Sequence, residues 1–194
     1  MTRDELIAQL AAEAAPLGPR GSLAERRRAW ASVLDSAGPG WVDPLIALLT
    51  APPEPMPPVE PGAWGFAVEE CLYRCARADP AGFLRRVGRD LRDPRARPAL
   101  IGALASLRDP AAVPILEALA GRGDPSPGEA ALLAHALGEI GGPGAGEALR
   151  RLRAKAPADG DLRAEIDAAL GLVDLTAADR VALLGPPYAR PEEG

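Results

Sequence analysis

The chain has 194 residues, of which 47% are apolar and only 4% aromatic, and its formal net charge is −5. It contains 40 Ala and 27 Leu but only 8 Val, 6 Ile and 3 Thr. Because strands need β-branched and aromatic side chains, this composition excludes an all-β or mixed-sheet fold and predicts a helical protein. The acidic balance argues against a surface that binds nucleic acids in general, and the length fits one domain, or one domain with a small appendage.

Residues 1–51 are predicted to form an N-terminal helical segment. Thr2 and Glu5 have the spacing of a capping box, as do Ser22 and Glu25, and each pair would open a helix. A short apolar helix follows from Trp41 to Leu49. The residues expected on the apolar faces of the first two helices are Leu6, Ile7, Leu10 and Ala14, then Leu23, Trp30, Val33 and Leu34.

Residues 52–63 form a proline-rich connector, because six of the ten residues from 52 to 61 are proline. Proline fixes φ and lacks a backbone donor, so we expect a stiff extended segment. The alternative is a proline-motif ligand, since Pro55, Pro58 and Pro61 have P-x-x-P spacing.

Residues 64–184 repeat with a period near 33. Residues 103–120 align with residues 136–153, so that Ala103 meets Ala136 and Leu116 meets Leu149. A further shift of 33 residues along the chain places Ala169 at the position of Ala136. A shift of 32 residues toward the N-terminus from 103–120 reaches Leu72. Such a period is typical of stacked helix hairpins. The predicted helices are 65–77, 80–91, 95–107, 111–121, 128–140, 144–155, 161–173 and 177–184, followed by a disordered tail at 185–194.

The segment from 93 to 121 resembles a HEAT repeat of the bacterial phycobilisome-lyase-like kind. The matching positions are Asp93, Pro94, Arg97, Ala103, Leu104, Asp109, Pro110, Val113, Leu116 and Leu119. The next repeat keeps Ala136, Leu137, Gly138, Gly142 and Pro143, but Ser126 and Ala130 replace the Asp and the Arg. The resemblance implies an all-α, right-handed α-solenoid of HEAT-like helix hairpins with an N-terminal helical extension.

The resemblance also implies a structural ladder of side chains through the stack. Asp93 and Arg97 recur 66 residues later as Asp159 and Arg163, and these four residues would form the ladder.

Two arginine clusters are candidate partner-binding residues. Arg85, Arg86 and Arg89 lie on one second helix, and a later second helix carries Arg150, Arg151 and Arg153 with Lys155. Second helices line the concave face in the resembled architecture. Arginine can bind a carboxylate through two parallel hydrogen bonds. The alternative is that these are solvated helix faces that complement helix dipoles. Arg26–Arg28 form a third cluster of the same kind.

The remaining chemistry-bearing residues favour structural roles. The lone histidine, His135, lies on an apolar helix, where we expect a half-buried or partner-facing side chain rather than a catalytic one. Cys71 and Cys75 share one helical face and are expected in the core. The glycines at 141–146 make a helix–helix turn, because no Lys-Ser/Thr follows them. We expect no metal and no cofactor.

Trp30, Trp41 and Trp64 are predicted to anchor the N-terminal helices, with an exposed partner anchor as the alternative.

These features favour a non-enzymatic protein–protein interaction scaffold that binds a partner with an acidic patch on its concave face. The alternatives are a HEAT-fold nucleic-acid-binding or base-repair protein and a tetrapyrrole-lyase-like protein. The charged start of the chain and the lack of an apolar run of membrane-spanning length predict a cytoplasmic protein with no membrane partner. The pattern does not specify an oligomeric state.

Overall fold

A computed structural model describes residues 2–14, 35–54, 61–121, 125–157 and 160–185. Within these ranges all regular structure is helical and no strand occurs, so the predicted all-α class is confirmed. The helices are α1 (Arg3–Ala14), α2 (Val42–Thr50), α3 (Pro61–Ala78), α4 (Pro80–Asp90), α5 (Arg97–Leu107), α6 (Val113–Gly121), α7 (Pro127–Ile140), α8 (Gly142–Lys155), α9 (Asp161–Val173) and α10 (Ala177–Leu184). Short 3-10 turns at Pro39–Trp41 and Pro110–Ala112 lead into α2 and α6.

The eight helices predicted from the repeat pattern are all present. Each observed end lies within four residues of the predicted one, and the last pair, α9 and α10, begins and ends at the predicted residues. Proline and glycine mark the boundaries, because proline fits the first turn of a helix but not its interior.

The start of α3 corrects one boundary. Pro61 was predicted to belong to the extended connector, but it is the first residue of α3. A proline is tolerated there because the first backbone donors of a helix have no partner within the helix. Residues 52–54 are not helical, as predicted. The proline motif at 55–60, the helix expected after Ser22 and the tail from 186 lie outside the described residues.

The chain divides into two compact units, Met1–Ala99 and Leu100–Gly194. The division falls in the first turn of α5. The predicted domain limits at 51, 63 and 184 and the handedness of the repeat array stay predictions.

The first unit is held together by the packing of α1 on α2 and α3, and of α3 on α2 and α4. The capping box that opens α1 is formed: the Glu5 backbone N–H donates to Thr2 Oγ1 at 3.2 Å, and the Thr2 N–H donates to Glu5 Oε2 at 2.7 Å. Trp41 and Trp64 are buried, as expected for anchors of these helices. Trp30 lies outside the described residues.

The second unit is centred on the packing of α7 against α9, with α8 in contact with both and α6 in contact with α7 and α8. Helices α7 and α9 approach closely at Gly138, where an added Cβ would lie 3.0 Å from the Ala169 Cβ. The turn predicted at 141–146 is shorter than expected: Gly141 alone separates α7 from α8, with a φ of 71°, and residues 142–146 are the start of α8. Repeat-aligned residues fill the core, including Ala103, Ala136 and Leu149.

Candidate functional site

The arginines of α4 are in different environments. Arg85 is exposed and has no ion-pair partner among the described residues. Arg86 pairs with Asp43 on α2, so its charge is compensated within the first unit. The side chain of Arg89 lies outside the described part of the structure. Of the predicted cluster, Arg85 is therefore the cation that the structure shows available to a partner.

The arginines of α8 point in different directions. Arg151 bonds to Glu117 on α6 and to Glu147 one turn earlier on α8. Arg153 reaches the other way, to Asp167 on α9. Arg150 is exposed and makes no hydrogen bond or ion pair with any described residue. The structure therefore does not bring the three arginines together as one uncompensated patch.

The Arg153–Asp167 pair is a bidentate contact on the surface. Arg153 Nε donates to Asp167 Oδ1, and Arg153 Nη2 donates to Asp167 Oδ2 at 3.2 Å. These hydrogen bonds hold the pKa of the Asp167 carboxyl below its usual value and raise the pKa of Arg153. The contact ties α8 to α9 and occupies a residue that the sequence suggested for partner binding.

The residues of the predicted ladder bond to the backbone near helix ends. Asp93 Oδ1 accepts from the Arg95 N–H at 2.9 Å. Arg97 Nε donates to the Leu91 carbonyl at 2.9 Å, just after α4. At the matching position of the next repeat, Ser126 Oγ accepts from the Glu129 N–H, because serine and aspartate are interchangeable as helix caps. Asp159 is outside the described residues and Arg163 is half-buried on α9, so the ladder as a whole stays a prediction.

Arg180 on α10 is the one buried basic side chain of the described residues, with 7% of its surface exposed. Its Nη1 donates to the carbonyls of Gly138 at 2.6 Å and Glu139 at 3.3 Å, at the end of α7. Its Nη2 donates to the carbonyls of Val173 and Leu175, both at 3.2 Å, at the end of α9. A cation at the C-terminal ends of two helices satisfies unpaired carbonyls and complements both helix dipoles.

Sequence reasoning missed the part that Arg180 plays. The signal available was one basic residue directly before the apolar run that ends the short helix α10.

His135 is exposed rather than half-buried, with 69% of its side chain accessible, and its Nε2 lies 3.1 Å from Glu139 Oε1. The expectation of partial burial was wrong because the residue lies on the outward face of α7, whose inward face is formed by Leu133 and Leu137. The partner-facing alternative fits this position.

A second outward-facing feature that the sequence did not reveal is a groove between α7 and α9.

Cys71 and Cys75 are free and buried, as predicted. Burial raises the pKa of each thiol to about 12, and Cys75 Sγ donates to the Gly38 carbonyl at 3.0 Å. No group of three or more His, Cys, Asp or Glu side chains suited to a metal ion occurs in the described residues. Within the same ranges, no helix combines the length and apolarity needed to cross a membrane.

Residues 83–171 match the family model for HEAT repeats. The matched segment runs from α4 to α9 and includes the helix hairpins α5–α6 and α7–α8. This segment of the chain consists of HEAT repeats. Nothing in the match separates the phycobilisome-lyase-like kind from other HEAT repeats, so that part of the resemblance stays a prediction.

HEAT repeats commonly mediate protein–protein interaction, and proteins built from them are generally non-enzymatic scaffolds. No curated protein and no solved structure is significantly similar to the chain. The nucleic-acid-binding and lyase alternatives stay predictions. The described tryptophans, Trp41 and Trp64, are buried, whereas Phe66 and Tyr73 are half-buried.

Proposed function

We propose that this protein is a non-enzymatic scaffold that binds a protein partner through arginines on its second helices. The observation that carries the proposal is that Arg85 and Arg150 are exposed cations without a carboxylate partner among the described residues. Each lies in the middle of a second helix, α4 or α8, beside an arginine that is already paired. The partner is expected to offer carboxylates at the matching positions.

The pairing of the neighbouring arginines supports this division of roles. Arg86 and Arg151 hold Asp43 and Glu117 and so join neighbouring helices within their own units. An arginine that is already compensated gains little from a second carboxylate, whereas an uncompensated one can form a bidentate contact. We therefore assign binding to Arg85 and Arg150, and structural cohesion to Arg86, Arg151 and Arg153.

The protein is further proposed to act in the cytoplasm. The support is the pair of thiols, which are free and lie in the core of the first unit. Free thiols are the usual state of cysteines in a reducing compartment.

The test compares charge reversals in the full chain. Arg85→Glu with Arg150→Glu removes both proposed contacts. Arg92→Glu is the control, since it makes the same change in net charge as either single reversal at an exposed position outside both clusters. Both variants and the unaltered protein are used as bait in native lysate, with quantitative mass spectrometry as the readout and thermal melting as the check on folding.

We expect a defined set of proteins to bind the unaltered chain and the control, and to be lost from the Arg85→Glu, Arg150→Glu variant at an unchanged melting temperature. Retention of the same proteins by that variant, or an equal loss from the control, would show that these arginines are not the binding residues. Nucleic acid recovered with a steep dependence on salt would favour the nucleic-acid-binding alternative.

A further inference from the structure

The outward faces of α7 and α9 form an open groove of about 450 Å³ in the second unit. Its floor consists of small residues, Gly128 and Ala131 from α7 and Ala168 and Ala169 from α9. Leu132 and Leu172 form its apolar walls, and 40% of the Leu132 surface is exposed. An exposed leucine next to a concave apolar surface is a feature of interaction sites.

The groove follows from the spacing of residues on each helix. Its lining residues on α7 run from Gly128 to His135 in steps of three and four, and those on α9 run from Glu165 to Leu172 in the same way. Each set is therefore one stripe along a helix, about 10 Å long for seven residues. The two helices meet closely at Gly138 and Ala169, and the small residues of both stripes leave the space of the groove open.

The charged groups at the groove are mainly acidic. Glu165 lines it directly, and Asp161, one turn before Glu165 on the same face of α9, is exposed. On α7 the stripe ends in His135, which bonds to Glu139 one turn later. No arginine or lysine lines the groove among the residues that the structure describes.

We infer that this groove binds a short amphipathic helix of a partner protein that has apolar side chains along one face and basic side chains beside them. Two turns of such a helix match the length of the groove and place apolar side chains at i, i+3 or i+4, and i+7 between Leu132 and Leu172. Basic side chains at the edge reach Glu165 and Asp161, where opposite charge favours encounter and orientation.

The same charges argue against other occupants. Nucleic acids and anionic lipid surfaces present phosphates, which the carboxylates of Asp161 and Glu165 repel. A second copy of this chain also has a net charge of −5, so its approach is disfavoured unless it offers a basic helix. A basic amphipathic helix satisfies both the apolar walls and the acidic edge.

This inference does not rest on the proposed function. The groove lies on first helices of the repeats and is acidic, whereas the proposed scaffold contacts are arginines on second helices. The two surfaces select partners of opposite charge and are altered by different substitutions.

The experiment selects peptides with the full chain as bait. The probe is a displayed library of helical peptides of about twenty residues, randomised on all faces. Enriched peptides are synthesised with a fluorophore, and their affinities are measured by fluorescence anisotropy. We expect enrichment of peptides with an apolar stripe at helical spacing and net positive charge.

Two matched pairs of variants locate the binding site. Ala168→Phe fills the groove, and Ala154→Phe makes the same change at an exposed alanine on α8. Glu165→Lys reverses the charge at the edge, and Glu54→Lys makes the same reversal at an exposed residue of the first unit. Circular dichroism and thermal melting establish that each variant folds.

We expect Ala168→Phe to weaken binding of the enriched peptides by about tenfold or more, because it occupies the apolar centre of the site. Glu165→Lys should weaken binding by about threefold to tenfold, and more at low salt. The two controls should change it by less than about twofold. Arg150→Glu should leave peptide binding unchanged, which separates this site from the proposed scaffold contacts.

Three outcomes of the peptide-binding experiment would overturn the inference. They are the absence of enrichment, enrichment of acidic peptides, and binding that Ala168→Phe and Ala154→Phe affect equally. Sedimentation of the unaltered chain as a dimer that Ala168→Phe dissociates would identify a second copy as the occupant and would also refute it.

Discussion

Replacing Arg180 with methionine should lower the stability of the second unit substantially. Methionine keeps most of the length and apolar volume of the side chain but removes every donor. The guanidinium is buried and donates to four backbone carbonyls, two at the end of α7 and two at the end of α9. After the substitution these carbonyls lose their charged donor, and water has little access to replace it.

The expected loss is about 3–5 kcal/mol. Hydrogen bonds to a charged group contribute ~1.5–3 kcal/mol each, but the four bonds share one guanidinium and do not add. Removing one member of a buried ionic network costs roughly 3–5 kcal/mol in other proteins, and we take that range. Because domains have free energies of unfolding of about 5–15 kcal/mol, the change should be large enough to see in a melting curve.

Chemical denaturation followed by circular dichroism measures the effect. Arg180→Lys should recover part of the stability, because one ammonium can reach the carbonyls of one helix end but not of both. Arg150→Met is the matched control, since Arg150 is exposed, and it should change stability by less than about 0.5 kcal/mol. Hydrogen exchange should show faster opening at the ends of α7 and α9. A loss below about 1 kcal/mol for Arg180→Met would refute the reasoning.

Further predictions concern thiol, carboxyl and glycine positions. Cys71 and Cys75 should resist alkylation at pH 8 in the native protein and react once it is unfolded, because burial raises the pKa of each thiol to about 12. Since the unfolded thiols ionise near pH 9, stability should also fall as the pH rises above that value, and equal native and unfolded alkylation rates would contradict this. Arg153→Gln should raise the pKa of Asp167 measured by NMR, since hydrogen bonds from Arg153 lower it. The stabilisation from this pair is present above the ordinary carboxyl pKa and is lost as the pH falls through the lowered one, so an unchanged titration in the variant would rule the contact out. Gly138→Val should destabilise the second unit by about 1–3 kcal/mol in denaturant titrations, because the new Cβ would lie 3.1 Å from the facing backbone, and an unaffected midpoint would show that the helices are further apart.

The helices could be predicted from the sequence because their signals are local. The capping box at Thr2 and Glu5 involves residues three apart, and both of its hydrogen bonds are present. Core positions recur at the repeat period: Ala103 aligns with Ala136 and Leu116 with Leu149, and all four side chains are buried. The one correction to a helix start, at Pro61, is a case where two local rules compete, since proline both ends an extended run and begins a helix.

The arginine partners could not be predicted because their signals are not local. Arg151 finds Glu117 across 34 positions, and Arg180 reaches carbonyls as far as 42 positions away. Every residue has a backbone carbonyl, so the sequence does not indicate which carbonyl an arginine will bond to. A count of charged residues therefore cannot show that such an arginine has a partner. The groove between α7 and α9 could not be predicted for a related reason. It depends on one stripe of residues from each helix, and the two stripes become neighbours only when the helices pack together.

The position of an arginine along its helix determines whether it can bond to the carbonyl ends of other helices. Arginines near helix boundaries donate to the carbonyl ends of other helices. They are Arg3 to Ala51, Arg95 to Thr50, Arg97 to Leu91, Arg108 to Gly185 and Arg180 to Gly138. Those in the middle of second helices, such as Arg85 and Arg150, lie a turn or more from any helix end and are exposed.

This difference follows from geometry. In a stack of helix hairpins the helix ends gather at the edges, where unpaired carbonyls concentrate and a nearby guanidinium can satisfy several of them. In the middle of a helix all backbone groups are already paired, so an arginine there can meet only side chains, solvent or a partner. An arginine in the middle of a helix therefore has a structural role where a carboxylate lies within reach, as for Arg86 and Arg151, and stays available to a partner where none does, as for Arg85 and Arg150.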